Sequence, residues 1–146
     1  MTPTKRSGRE MKSRNDGSTA TRRRWRNYST PSGRKPVGEF IDKLSDADAA
    51  AVLAGMEDVR HGGLRAARHL DGDIWEVRAD GYRAIYRVLF AYEGRRGQIL
   101  LALEGFNKKT RKTPAPVIEL ARVRLADWRW QGDQRRIARG ERPLHR

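Results

Sequence analysis

The residues of this chain best suited to chemistry are cations. Arg78, Arg83 and Arg87 fall in one short stretch with the carboxylate of Glu76 among them, and Lys108, Lys109, Arg111 and Lys112 form a second group further on. A guanidinium presents a planar fork of donors that matches a phosphate, so several together can hold one or stabilise charge that builds on it. Arginine stays protonated and cannot take up a proton. A lysine crowded by other cations can do so once its pKa is lowered, and Glu76 is the other acid–base candidate. Among three arginines, Glu76 reads first as an orienting partner for Arg83 or Arg87. The chain contains no cysteine, which excludes thiol catalysis, disulfides and cysteine-based zinc sites. His61 and His69 lack metal-ligand spacing, and there is no glycine-rich phosphate loop. The expected chemistry is phosphate chemistry with no metal and no cofactor.

These side chains need a scaffold that aims them. Residues 74–87 alternate apolar and polar around Asp80-Gly81, the pattern of a hairpin with a two-residue turn. Such a turn sets Arg78 opposite Arg83, Val77 opposite Ala84 and Trp75 opposite Tyr86. One face is then Trp75, Val77, Ala84, Tyr86, Val88 and Phe90, a core face. The other carries Glu76, Arg78, Arg83 and Arg87, with Ile85 among them. Like charges directly opposite one another destabilise a sheet by about 0.2–1 kcal/mol. Stability gives no reason to oppose two arginines; a bound polyanion does.

Around the hairpin, Arg23 to Ser29 reads as a strand. Pro36 opens a helix with Val37, Phe40, Ile41 and Leu44 on one face. Ser45 caps a second helix with a stripe of Ala49, Val52, Leu53, Met56 and Val59, which ends at His61-Gly62-Gly63. Arg68 to Asp73 reads as loop and turn. Gln98 to Phe106 is an apolar strand of the central kind. Asn107 to Lys112 is a cationic loop, after which Thr113 and Pro114 start a last helix bearing Ile118, Ala121, Leu125 and Trp128. The order is β-α-α-β-β-β-α. The expected class is α+β: a small, antiparallel-rich sheet with helices packed on one face and a basic open face. Residues 1–22 read as a disordered basic tail, 23–130 as the folded domain and 131–146 as a basic C-terminal tail.

The chain has 146 residues and a formal net charge of +14, which favours a phosphate-rich partner. Hydrophobic residues are 37% and charged residues 34%, a balance that leaves part of the chain outside any core. No apolar run approaches the ~20 residues of a membrane span, and the N-terminal segment lacks the apolar stretch of a secretory signal. A cytoplasmic protein with no membrane partner is expected.

The series Ser32-Gly33-Arg34, Pro36-Val37, Glu39-Phe40-Ile41, then Leu70, Trp75-Glu76-Val77-Arg78, Gly81-Tyr82-Arg83 and Tyr86, then Gly105-Phe106, Lys108-Lys109-Thr110 and Lys112-Thr113-Pro114, resembles the HigB-like, phage-derived branch of the RelE/ParE toxin superfamily. The resemblance spans roughly residues 23–130. It implies the toxin of a type II toxin–antitoxin pair with a RelE-like fold, acting as a metal-independent, ribosome-dependent mRNA endoribonuclease through attack of the 2′-OH on the scissile phosphate. On that likeness Arg83 matches the sheet arginine on the scissile phosphate. Lys108 and Lys109 match basic residues ending the last strand, and Arg78 matches the Trp-Glu-x-Arg arginine. Arg87, Phe106, Arg111 and Lys112 are expected to contact RNA. The last helix has no counterpart of the tyrosine that RelE uses near the leaving group, which leaves the acid and base open. The implied partners are mRNA, the ribosome and a cognate antitoxin with a helix-turn-helix, encoded by a neighbouring frame. Two other readings remain: a ParE-like toxin of DNA gyrase acting through a C-terminal region with Trp128, Trp130, Arg135 and Arg136, and an inactive nucleic-acid-binding module.

Overall fold

The structure, a computed structural model, describes residues 22–145. The expected tail over residues 1–22 therefore lies, but for its last residue, outside the described residues. The strands are β1 (Arg24–Asn27), β2 (Arg68–Asp71), β3 (Ile74–Asp80), β4 (Ile85–Glu93) and β5 (Ile99–Asn107). The helices are α1 (Pro36–Asp42), α2 (Asp46–Gly62) and α3 (Ala115–Ala138), with a 3-10 turn at Gly63–Ala66. One sheet runs in the order β1-β5-β4-β3-β2, with β1 parallel to β5 and every other pair antiparallel. This is the expected α+β class and element order, with one strand added, β2, in the stretch read as loop. No helix of the described residues is long and apolar enough to cross a membrane.

Apolar alternation gives the sheet two cores. On one face Val77, Ala79, Tyr86, Val88, Phe90, Leu100 and Ala102 pack against Val37 of α1 and Val52, Met56 and Val59 of α2. Leu53, expected in that stripe, faces out and is 52% exposed. On the other face Ile74, Leu89, Ala91, Leu101 and Leu103 pack against Ala121 and Leu125 of α3. Helices thus lie on both faces and not on one as expected, because the second face is also apolar at Leu89, Leu101 and Leu103, and the basic face is open only where α3 stops covering it. A β-bulge in β5 opposite Leu89 and Phe90 lets both Leu103 and Glu104 address α3. Leu103 enters the core and Glu104 pairs with Arg124. Helix α3 continues to Ala138, into the segment expected to be loose. Asp133 then folds the chain back by accepting the backbone N–H groups of Leu144 and His145.

The hairpin register differs from the expected one. The turn at Asp80-Gly81 is a wider loop, Gly81 to Ala84, and Arg78 lies opposite Arg87 rather than Arg83. The cause is tertiary. Asp48 of α2 is 1% exposed; its Oδ1 accepts the Tyr82 N–H at 2.6 Å and its Oδ2 the Tyr86 O–H at 2.5 Å. This draws Tyr82 and Arg83 out of the ladder. Gly81 is required there, because a Cβ would fall 2.5 Å from the Tyr86 ring. The slip from Arg83 to Arg87 covers an even number of residues, so every side chain that stays in the ladder keeps its face, while Arg83, expected on the open face, leaves the sheet. The core face stands as expected, and an arginine still opposes an arginine. The two-residue turn of the domain is instead at Gly72-Asp73, between β2 and β3, where Gly72 has φ 54°.

The hydrogen bond from Tyr86, ahead of those from the Tyr82 and Arg83 backbone, holds the Asp48 carboxyl below its ordinary pKa against the opposing effect of burial. A depressed folded pKa stabilises above the unfolded value, and that contribution is lost as pH falls through the folded value. Tyr86→Phe is therefore expected to lower the urea midpoint most at neutral pH. The gap to wild type should narrow in acid; a gap constant with pH would refute the coupling.

Candidate functional site

Where α3 leaves the sheet uncovered, a cleft of about 290 Å³ opens, lined by Arg65, Ala66, Ala67, Arg68, Glu76, Arg78 and Arg87. Strand register builds it. Arg68 of β2 is the direct partner of Glu76 on β3, and Arg78 of β3 is the direct partner of Arg87 on β4. Directly paired residues share a face, so the edge strand, its neighbour and the next strand each deliver an arginine to one surface. The 3-10 turn supplies Arg65, and two alanines keep the floor shallow.

Glu76 and Arg87 form the fixed part of the site. They are 3% and 6% exposed, and Arg87 Nε donates to Glu76 Oε1 at 3.1 Å. Arg87 Nη1 donates to the Tyr86 carbonyl, and Thr113 Oγ1 donates to Glu76 Oε2 at 2.5 Å. Both carboxylate oxygens are thus engaged, one by Arg87 and one by Thr113. Thr113, expected to cap α3, makes no side-chain cap there; Pro114 holds the cap position and the Thr113 hydroxyl ties the cationic loop to β3. Arg78 is exposed, with its Nε on Asp80 Oδ1 at 2.9 Å.

Lys108 reaches the same place because its N–H donates to the Ile85 carbonyl, which extends the β4–β5 ladder beyond Asn107. Burial first, and then the charge of Arg87, push its pKa below the ordinary lysine value; Glu76 opposes this, and Arg68 and Arg78 add to it. Phe106 lies opposite Arg87 in the ladder and packs half-buried against the α3 core. Lys109, Arg111 and Lys112 are exposed on the following loop. Arg83 stands apart from this cluster. It is exposed in the β3–β4 loop, and the carboxylate it acts on is Asp48, on the α2 side of the sheet.

A larger groove of about 690 Å³ lies near the end of α3, between Arg129, Trp130, Asp133, Ile137 and the returning Pro143 and His145. It shares no lining residue with the cleft. Sequence reasoning did not find Arg65 and Arg68. The available signal was a second Asp-Gly dipeptide, Asp71-Gly72, which makes the residues before it a strand and puts Arg68 beside Glu76.

Removing one partner of a buried ion pair leaves an unpaired charge and costs about 3–5 kcal/mol. Leaving one buried acceptor unsatisfied costs about 1–3 kcal/mol. In urea denaturation, Glu76→Ala is expected to destabilise by the larger amount and Thr113→Val by the smaller. Thr113→Ser, which keeps the hydroxyl, should stay within about 0.5 kcal/mol of wild type. Equal loss in Thr113→Val and Thr113→Ser would contradict the assigned hydrogen bond.

Residues 39–126 match the family described as Phage derived protein Gp49-like (DUF891). Over 99 residues the chain is 36% identical to a protein named probable endoribonuclease HigB1 from Mycobacterium tuberculosis strain CDC 1551 / Oshkosh. The likeness to the protein of that name from strain ATCC 25618 / H37Rv is the same. The match covers 66% of this chain and 77% of the relative. The family match contains every residue that lines the cleft, together with Lys108 and Thr113.

Proposed function

This chain belongs to the phage-derived Gp49-like family, as a HigB-like toxin, and on that premise we propose that it is an endoribonuclease that cuts mRNA in its cationic cleft. The observation that carries the proposal is the rigid Arg87, held by a buried glutamate, beside a lysine whose pKa is lowered. Arg78 and Arg87 hold the scissile phosphate and stabilise charge on the phosphorane. Neutral Lys108 takes the proton of the substrate 2′-OH. The 2′-oxygen attacks phosphorus, the bond to the 5′-oxygen breaks, and that oxygen takes a proton from solvent. The products are a 2′,3′-cyclic phosphate and a 5′-hydroxyl. Lys109, Arg111 and Lys112 bind the flanking backbone, and Phe106 offers its ring edge to a base. Arg83 lies outside the reacting cluster and contacts the strand beyond the cleft.

The cleft is shallow and holds cations more than groups that read bases. Substrate orientation is therefore assigned to the ribosome, which converts a weak local base into an effective one by positioning. The partner is an antitoxin from a neighbouring frame, whose acidic surface complements the cleft. The site of action is the cytoplasm.

Inducible expression in a bacterial host, with growth and mRNA 5′ ends followed together, tests this function. Wild type should arrest growth and create new 5′ ends. Arg87→Ala and Lys108→Ala should each reduce cleavage about 100-fold or more. Growth arrest with intact mRNA and lost supercoiling would select gyrase as the target instead. Because only neutral Lys108 accepts a proton, the cleavage rate should rise with pH and level off below the pKa of an ordinary lysine. Lys108→Arg, which cannot deprotonate, should abolish the rise; a rise that survives would remove Lys108 as the base.

A further inference from the structure

Arg65 and Arg68 line the cleft from its edge-strand side, across Glu76 from Arg87. Both are exposed, and among the described residues neither has a carboxylate partner or a side-chain hydrogen bond. Their neighbours differ in this respect. Arg60, on α2 just before them, is tied to Glu57, while Arg78 and Arg87 are tied to Asp80 and Glu76. The carboxylate that lines the cleft, Glu76, is already used by Arg87 and Thr113. Two arginines thus meet in a concave site that already holds two more, with no ion-pair partner for them among the described residues. Such an arrangement is unfavourable for the free protein and is relieved by an anion.

β2 and β4 flank β3 on either side, so the backbones bearing Arg68 and Arg87 stand two strand spacings apart, about 10 Å. Long side chains from both lines reach into one cleft. A phosphodiester has two non-bridging oxygens, which the forks of Arg78 and Arg87 suffice to fill, so the two further arginines on the edge-strand side of the same cleft suit a neighbouring phosphate of one strand. We propose that Arg65 and Arg68 form a second phosphate subsite, which takes the phosphodiester next to the one held by Arg78 and Arg87. This rests on the reading of the cleft as an RNA site and adds to it a requirement for substrate length. The subsite recognises backbone and not base, so it raises affinity alike for different sequences.

The test uses the full chain and short oligonucleotides without terminal phosphates, made 2′-deoxy so that they are not cut. One is a dinucleotide with one phosphodiester and the other a trinucleotide with two, each read by fluorescence anisotropy. Wild type should bind the trinucleotide roughly tenfold more tightly, the gain expected of charge-assisted hydrogen bonds to one phosphate. In the double variant Arg65→Gln, Arg68→Gln that ratio should fall towards one. The slope of log affinity against log salt for the trinucleotide should fall by about 0.7, one phosphate's share in single strands. A double variant with the wild-type length preference and salt slope overturns the second subsite and leaves the RNA reading intact. Wild type that binds neither oligonucleotide, with or without ribosomes, overturns the RNA reading itself.

Discussion

The buried pair of Glu76 and Arg87 organises this molecule. Burying two charges in a sheet is unfavourable unless both find partners. Here Thr113 takes the second carboxylate oxygen and the Tyr86 carbonyl takes a second guanidinium N–H. The pair also divides one face of the sheet. On one side of it Leu89, Leu101 and Leu103 lie under Ala121 and Leu125 of α3. On the other the face is polar, no helix covers it, and the cleft opens. One interaction thus ends the core, aims an arginine and, through Thr113, tethers the loop that carries the lysines.

The distribution of carboxylates explains why the excess charge matters locally. On the α3 side acids and bases are matched: Arg129 lies between Glu93 and Asp73, and Arg124 lies against Glu104. Around the cleft the acid is Glu76, already engaged, while among the described residues Arg65, Arg68 and Lys108 have no ion-pair partner of their own. A net charge of +14 spread evenly would give only diffuse attraction to a polyanion. Concentrated in a concave site beside a lysine of lowered pKa, it gives a place where a phosphate can be held and a proton moved.

The hairpin illustrates how a local signal yields to a tertiary one. Two Asp-Gly dipeptides lie close together in this chain. At Asp71-Gly72 the tight turn forms. At Asp80-Gly81 the carboxylate of Asp48, on a helix remote in sequence, offers the Tyr82 N–H and the Tyr86 O–H a buried acceptor. With both bonds made, the loop is wider and Arg83 lies outside the sheet. The face assignment survived for the residues that remain in the ladder, because side chains alternate with a period of two and the slip was even.

The sequence by itself determined the class of fold, the order of helices and strands, the apolar face of the hairpin and the cationic character of the opposite face. Each of these follows from periodicity and charge, which act between residues near in the chain. Helix α3 lay partly beyond that reach: its apolar stripe was legible, but its place on the second sheet face depends on Leu89, Leu101 and Leu103 meeting Ala121 and Leu125 across the chain. The membership of the site was decided only in three dimensions. Arg68 joins it through β2–β3 pairing, Lys108 through the carbonyl of Ile85, Thr113 through Glu76, and Arg83 is drawn away by Asp48. The physical reason is the same in each case: a hydrogen-bonding group takes the partner that space brings near, and the chain's local pattern carries no record of which partner that is.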